Sequence, residues 1–212
     1  MACTFLDIED MIALRAGLGA VNEITVFLAA KEEGRYPVLR GLAQGVESFP
    51  EITGHIDTIL DRYGKIKDSA SPELYTIRRT IRDREGQVSK RLQAILSKAQ
   101  KDGYADADAA VSIRDGRAVI PVSAANKRKI NGFIHDESAT GKTFYIEPVE
   151  IVEINNELKE LEYAERREVV RILTAFTDRI RPDAPGIARA GEYLACMDMI
   201  RAKARWAAEN EC

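Results

Sequence analysis

Residues 71–103 read SPELYTIRRTIRDREGQVSKRLQAILSKAQKDG, and this stretch decides the fold. Ser71 can cap a helix, Pro72 suits the first helical position, where its missing N–H costs nothing, and Glu73 complements the helix dipole in the first turn. Leu74, Ile81, Val88 and Ile95 then recur every seven residues, with Ile77 and Leu92 widening the stripe. Asp102-Gly103 ends the run after Lys101. A helix of thirty residues is roughly 45 Å long. That exceeds the diameter of a domain of this size, so the helix needs something running beside it.

A companion lies downstream. Between Pro148 and Arg181, the residues Ile151, Ile154, Leu158, Leu161, Val169, Ile172, Phe176 and Ile180 fall mostly three or four apart. The charges complement: residues 72–101 carry eight basic and three acidic side chains, residues 148–181 six basic and eight acidic. Two such helices separated by an insert predict a projecting, antiparallel, coiled-coil-like pair. The plainer alternative is two ordinary core helices of a bundle.

The insert, residues 104–147, has strand texture. Val111-Ser112-Ile113-Arg114 runs into Asp115-Gly116, a hairpin signal, and Arg117 to Val122 resumes it. Pro121 fits an edge strand or a bulge. A polar loop from Ser123 to Lys129, expected to close a hairpin, precedes Ile130 to His135. A turn at residues 137–141 precedes Thr143-Phe144-Tyr145-Ile146. The expectation is four short strands in a small antiparallel sheet. Residues 5–33, 37–44, 50–62 and 183–209 read as further helices, the last through Ile187, Leu194, Met197, Ile200 and Ala204. The fold class is therefore mainly α with a small antiparallel β insert, without internal repeats.

Composition sets bounds. At 45% apolar and 31% charged, the 212 residues can bury a core. The net charge of -3 argues against a chain that is basic throughout, but not against a local basic patch. No apolar run approaches the roughly 20 residues of a membrane span, and no signal peptide is evident, so a cytoplasmic location is expected. Cys3, Cys196 and Cys212 lie far apart, and His55 and His135 have no ligand partners at zinc spacing, so no disulfide framework, metal or other cofactor is expected.

Two motifs suggest chemistry and fail. Gly141-Lys142-Thr143 ends like a phosphate-binding loop, but Asp136 stands where that loop needs its first glycine, and a strand follows instead of a helix. His135-Asp136-Glu137-Ser138 holds the residue types of a hydrolase without a glycine elbow around Ser138. No catalytic residue is assigned. Charge is more informative. Between residues 112 and 145 stand six basic side chains, Arg114, Arg117, Lys127, Arg128, Lys129 and Lys142, against Asp115, Asp136 and Glu137. Residues 112–145 are thus +3 and the rest of the chain -6. The six are candidates for contacting a phosphate backbone, the loop trio Lys127-Arg128-Lys129 above all. The alternative is a solvated face.

Five segments carry a family resemblance: Lys67-Asp68-Ser69-Ala70-Ser71-Pro72-Glu73-Leu74, with Ile77-Arg78-Arg79; Ile113 to Val122; Ile134-His135-Asp136-Glu137-Ser138-Ala139-Thr140-Gly141; Ile146-Glu147-Pro148; and Val152-Glu153-Ile154-Asn155-Asn156-Glu157-Leu158. In this order and spacing they resemble the middle of the MutS-two (MutS2) family, the second bacterial branch of the MutS proteins. The resemblance implies a helical core segment at 1–70, an outgoing lever helix at 71–103, a β clamp at 104–147, a returning lever at 148–182 and a core helix at 183–212. It also implies a homodimeric parent with an ATPase, needing ATP and magnesium, and an endonuclease module, both beyond this fragment. Such a parent acts on branched DNA, suppressing recombination, or on the ribosomal RNA of collided ribosomes. Two functions follow for the chain itself: a clamp and lever gripping nucleic acid, or a coiled-coil protein-interaction module. Salt dependence separates them, because only phosphate contacts weaken steeply with salt.

Overall fold

Helix α4, Pro72–Lys101, begins at the proline that the capping pattern selects and runs for 30 residues. It closes as a Schellman motif. Gly103 takes φ +72, its N–H donates to the Gln100 carbonyl at 3.1 Å, and the Tyr104 N–H donates to the Ala99 carbonyl at 2.7 Å. The structure, a computed structural model, describes residues 5–32 and 34–210. Cys3, Cys212 and residue 33 of the expected first helix lie outside these.

The chain divides into two compact units: residues 1–72 with 169–212, and residues 73–168. The first holds α1 (Ile8–Ala29), α2 (Pro37–Ala43), α3 (Pro50–Ile59) and α6 (Ala184–Glu209), together with the end of α5 (Val149–Ile180). A capping box starts α1: the Asp7 carboxylate accepts the Asp10 N–H at 2.8 Å, and the Asp10 carboxylate accepts the Asp7 N–H at 3.3 Å. Met11, Leu18, Val21, Ile52, Ile56, Phe176 and Ala190 are buried in this unit.

Three expectations need correction here. By length and composition, α1 is long and apolar enough to cross a bilayer. Its alanines and glycines interrupt the run to the eye but keep the average high. It nonetheless packs against α3 and α6, and its Arg15 pairs with Asp57 at 3.2 Å, as a core helix does. The third helix stops at Ile59 rather than Arg62, because the Asp61 carboxylate accepts the Tyr63 and Lys65 N–H groups and folds the chain into a turn. In α6 only Gly186, Ala190 and Tyr193 are buried, and Met199 and Trp206 stay exposed, so the expected apolar stripe is buried along half the helix at most.

The second unit holds most of α4, the start of α5 and a four-stranded antiparallel sheet. Its strands are β1 (Ser112–Arg114), β2 (Arg117–Ser123), β3 (Gly132–Glu137) and β4 (Thr143–Pro148). Asp115 and Gly116 take φ 50 and 72, the two-residue hairpin turn that Asp-Gly favours. Ion pairs from Arg78 to Glu165 at 2.7 Å and from Arg84 to Glu157 at 2.9 Å show that α4 and this part of α5 run side by side and antiparallel. Val88, Leu92, Leu96 and Ala99 of α4 join Ile151 and Ile154 of α5 and Ile120, Val122 and Ile146 of the sheet in one core.

The strand order is β1-β2-β4-β3, so β2 and β3 are not neighbours. Residues 124–131 therefore cross over instead of closing the hairpin expected between them. The cause lies in β2. Ile120 to Ser123 pair with β4, and the Ala124 N–H donates to the Lys142 carbonyl at 2.9 Å. Antiparallel alternation then turns the Pro121 nitrogen away from β4. On that side Ser123 N–H finds Tyr104 O at 2.9 Å, and Pro121 has nothing to donate. That edge carries β1 at Arg117–Val119 and is closed to a strand at Pro121, so both edges of β2 are taken without β3.

Leu92 is fully buried between the sheet and both helices. Leu92→Ala should destabilise the chain by about 2–5 kcal/mol, as cavity-forming core truncations do. Urea unfolding followed by circular dichroism reads this as a lowered midpoint with unchanged slope. A shift below roughly 1 kcal/mol would mean that this core does not hold the sheet on the helices.

Candidate nucleic-acid interface

The six basic residues fall into two groups. Arg114 and Arg117 sit at the β1–β2 hairpin, where they are paired across the ladder. Lys127, Arg128, Lys129 and Lys142 gather at the opposite end of β2, because the crossover loop lies against the start of β4. Seven residues of strand separate the ends, roughly 20 Å.

The hairpin pair is committed. Arg114 Nε lies 3.0 Å from Asp136 Oδ2, and its guanidinium stacks 4.0 Å from the centre of the Tyr145 ring. Arg117 Nη1 donates to Glu147 Oε1 at 2.8 Å, and its Nη2 donates to Asn156 Oδ1 at 2.8 Å.

Glu147 is the centre of a closed network. Its side chain is 2% exposed. Asn155 Nδ2 donates to Oε1 at 2.6 Å beside Arg117, and His135 Nε2 donates to Oε2 at 2.6 Å. Burial alone would raise the carboxyl pKa, but the hydrogen bonds from Asn155, Arg117 and His135, with the Arg117 charge, outweigh it and hold the group below its usual range. Sequence reasoning missed this network. Its five members stand in four separate motif segments, and nothing in local spacing says that they meet. It also removes Arg117 from the residues free to grip a phosphate.

The loop group is presented differently. Asn126 Nδ2 donates to the Gly103 carbonyl at 3.2 Å and to Ser123 Oγ at 3.0 Å, and the Val149 N–H donates to the Asn131 carbonyl at 3.1 Å. The loop is thus tied to the end of α4 and the start of α5. Lys127 Nζ sits 4.1 Å over the Phe144 ring. Arg128, Lys129 and Lys142 are exposed and form no ion pair among the described residues. Lys129 also lines a cleft of about 360 Å³ with Lys98, Asp102, Tyr104 and Glu150.

The two failed motifs have structural roles. Gly141 takes φ +66 in the β3–β4 turn, and Thr143 begins a strand, so no helix N-terminus faces Lys142. Ser138 Oγ accepts the Thr143 N–H at 3.0 Å and braces that turn, while His135 is engaged by Glu147. His55 lies in the other unit, against Phe176.

No family model matches the chain. Similar proteins named Endonuclease MutS2 occur in Pelotomaculum thermopropionicum, 36% identical over 201 residues (95% of this chain, 25% of the relative). Those of Streptococcus pneumoniae are 38% identical over 207 residues (97% and 26%). Those of Streptococcus thermophilus are 35% identical over 198 residues (93% and 25%). The chain thus spans about a quarter of the length of the curated relatives it matches.

Because its folded pKa is depressed, ionised Glu147 contributes stability above the carboxyl's unfolded pKa. That contribution is lost as pH falls through the lower folded value. Glu147→Gln should cost about 1–3 kcal/mol at neutral pH. The gap to wild type should narrow on acidification below about pH 4.5, the ordinary carboxyl value. Thermal unfolding across that range checks this, and a gap that is constant with pH would refute the role given to the charge.

Proposed function

The chain belongs to the MutS2 family across the quarter of that family's length it spans, and on that premise we propose that it is the nucleic-acid-gripping part of a larger protein. In this reading α4 and α5 act as levers and the sheet with its crossover loop as the clamp. Lys127, Arg128, Lys129 and Lys142 meet phosphates as point charges without reading sequence. Arg114 and Arg117 hold the clamp's own structure. The observation that carries the reading is the crossover loop itself, anchored at Gly103, Lys142 and Val149 yet presenting unpaired cations outward.

The rest of the reading concerns the parent. It would be a cytoplasmic homodimer that hydrolyses ATP with magnesium and cleaves as an endonuclease in domains other than these. Its substrates would be branched DNA, with suppression of recombination, or the RNA of collided ribosomes. The fragment itself would catalyse nothing and would bind no nucleotide at Gly141-Lys142-Thr143.

Replacing Lys127, Arg128 and Lys129 together by Ala should weaken binding to every sequence alike. On duplex DNA it should also flatten the slope of log affinity against log salt, by about 0.9 for each phosphate no longer neutralised and so by up to roughly 3 units. Salt titrations on branched DNA and structured RNA read this. Wild-type affinity and slope on both would remove the phosphate reading and leave the protein-interaction module.

A further inference from the structure

The face of the sheet that carries Glu147 continues outward into an aromatic surface. On β4, Tyr145 and Glu147 point the same way, being two residues apart. Phe133 stands directly opposite Glu147, and Asp136 opposite Tyr145 across the bulge, so both share that face. Arg114 shares it too, through its pairing with Arg117. Phe133 is 59% exposed although it is a large apolar side chain on an edge strand. Beside it, the Arg114 guanidinium is stacked on Tyr145 and braced by Asp136, with 35% of the side chain still open. The face therefore offers two flat surfaces, a phenyl ring and a guanidinium stacked on a phenol.

We propose that this face is a stacking platform for the bases of a single-stranded nucleic-acid segment, Phe133 taking one base and the Arg114–Tyr145 stack another. Every base has a π-face, so such a surface binds unpaired nucleotides without reading them, whereas the bases of a duplex are already stacked on one another. Charge favours this occupant. Residues 112–145 are net positive, and Lys142 lies three residues before Tyr145, about 10 Å away along the strand. A strand whose phosphates meet the cationic loop would lay its bases on the face below. A protein partner would be expected to meet a wider apolar core, and Phe133 stands beside ionic side chains. The proposal rests on the phosphate reading above and adds the unpaired strand to it.

The test uses the chain with oligothymidylate, oligouridylate and a duplex of mixed sequence. Phe133→Ala should lower single-strand affinity roughly 5- to 150-fold, the range for removing one base stack. Duplex affinity and the salt slope should stay at wild type, because a stack releases no counterions. Phe133→Trp should retain single-strand binding. In a Trp206→Phe background, its fluorescence should be quenched on titration with either oligonucleotide. Phe133 is exposed, so the Ala variant should keep its unfolding midpoint. Unchanged single-strand affinity in Phe133→Ala, with the loop triple variant still flattening the salt slope, would overturn the platform and leave the phosphate reading. A wild-type slope in the triple variant would remove the phosphate reading instead. Equal weakening on single strand and duplex in Phe133→Ala would also overturn the platform. So would the disappearance of self-association in sedimentation with single-strand affinity intact, which would assign the face to a second copy. A larger drop on uridylate than on thymidylate would keep the platform and assign it to RNA, and the reverse would assign it to DNA.

Discussion

A carboxylate with 2% of its side chain exposed has to be surrounded by donors, and the donors around Glu147 come from two strands and a helix of the sheet-bearing unit. Arg117 begins β2, His135 lies in β3, and Asn155 is two turns into α5. Removing any one leaves a buried charge short of a partner, which costs more than the hydrogen bond itself contributes. The network therefore fixes which residue of each element faces which. Gly132 shows how tightly β3 is drawn in: a Cβ there would collide with the Glu147 backbone. The apolar core supplies most of the burial, but non-directional packing tolerates shifts that this cage of directed bonds does not.

That division explains what could be read from the sequence. The start of α4 at Pro72, its end before Gly103 and the Asp115-Gly116 hairpin are local rules, and each appears in the structure where the residues put it. The antiparallel sheet of four strands was legible for the same reason. The crossover was not. Both edges of β2 are filled, one by β4 and the other by β1 and by Ser123 reaching Tyr104, nineteen residues earlier, and no local rule says which strand takes which edge. The exposed half of α6 was equally hidden, since periodic apolar residues state a preference for burial without naming what covers them.

The display of the loop cations could be read from the sequence, and the pairing of the strand cations could not. A basic residue on a strand is within reach of cross-strand acids, and Arg114 and Arg117 both found one. Local charge counts treat the six cations alike. Pairing separates them, because an acid twenty or thirty residues away in sequence decides which cation keeps its charge for a partner.

The pairing also bears on the phosphate grip proposed for the loop. Phosphate contacts are strong in number and weak singly, so a cationic loop works only if its charges stay displayed while the chain is loaded. A free loop would lose that order in solution. Here three backbone or amide bonds tie residues 124–131 to the end of α4, the head of β4 and the start of α5. A pull on the loop is thus carried directly into both long helices. β4 and α5 are contiguous through Pro148–Val149, and Glu147 sits at that joint with its donors on β2, β3 and α5. The same buried carboxylate that orders the sheet therefore stiffens the junction through which any motion of α5 would reach the displayed cations.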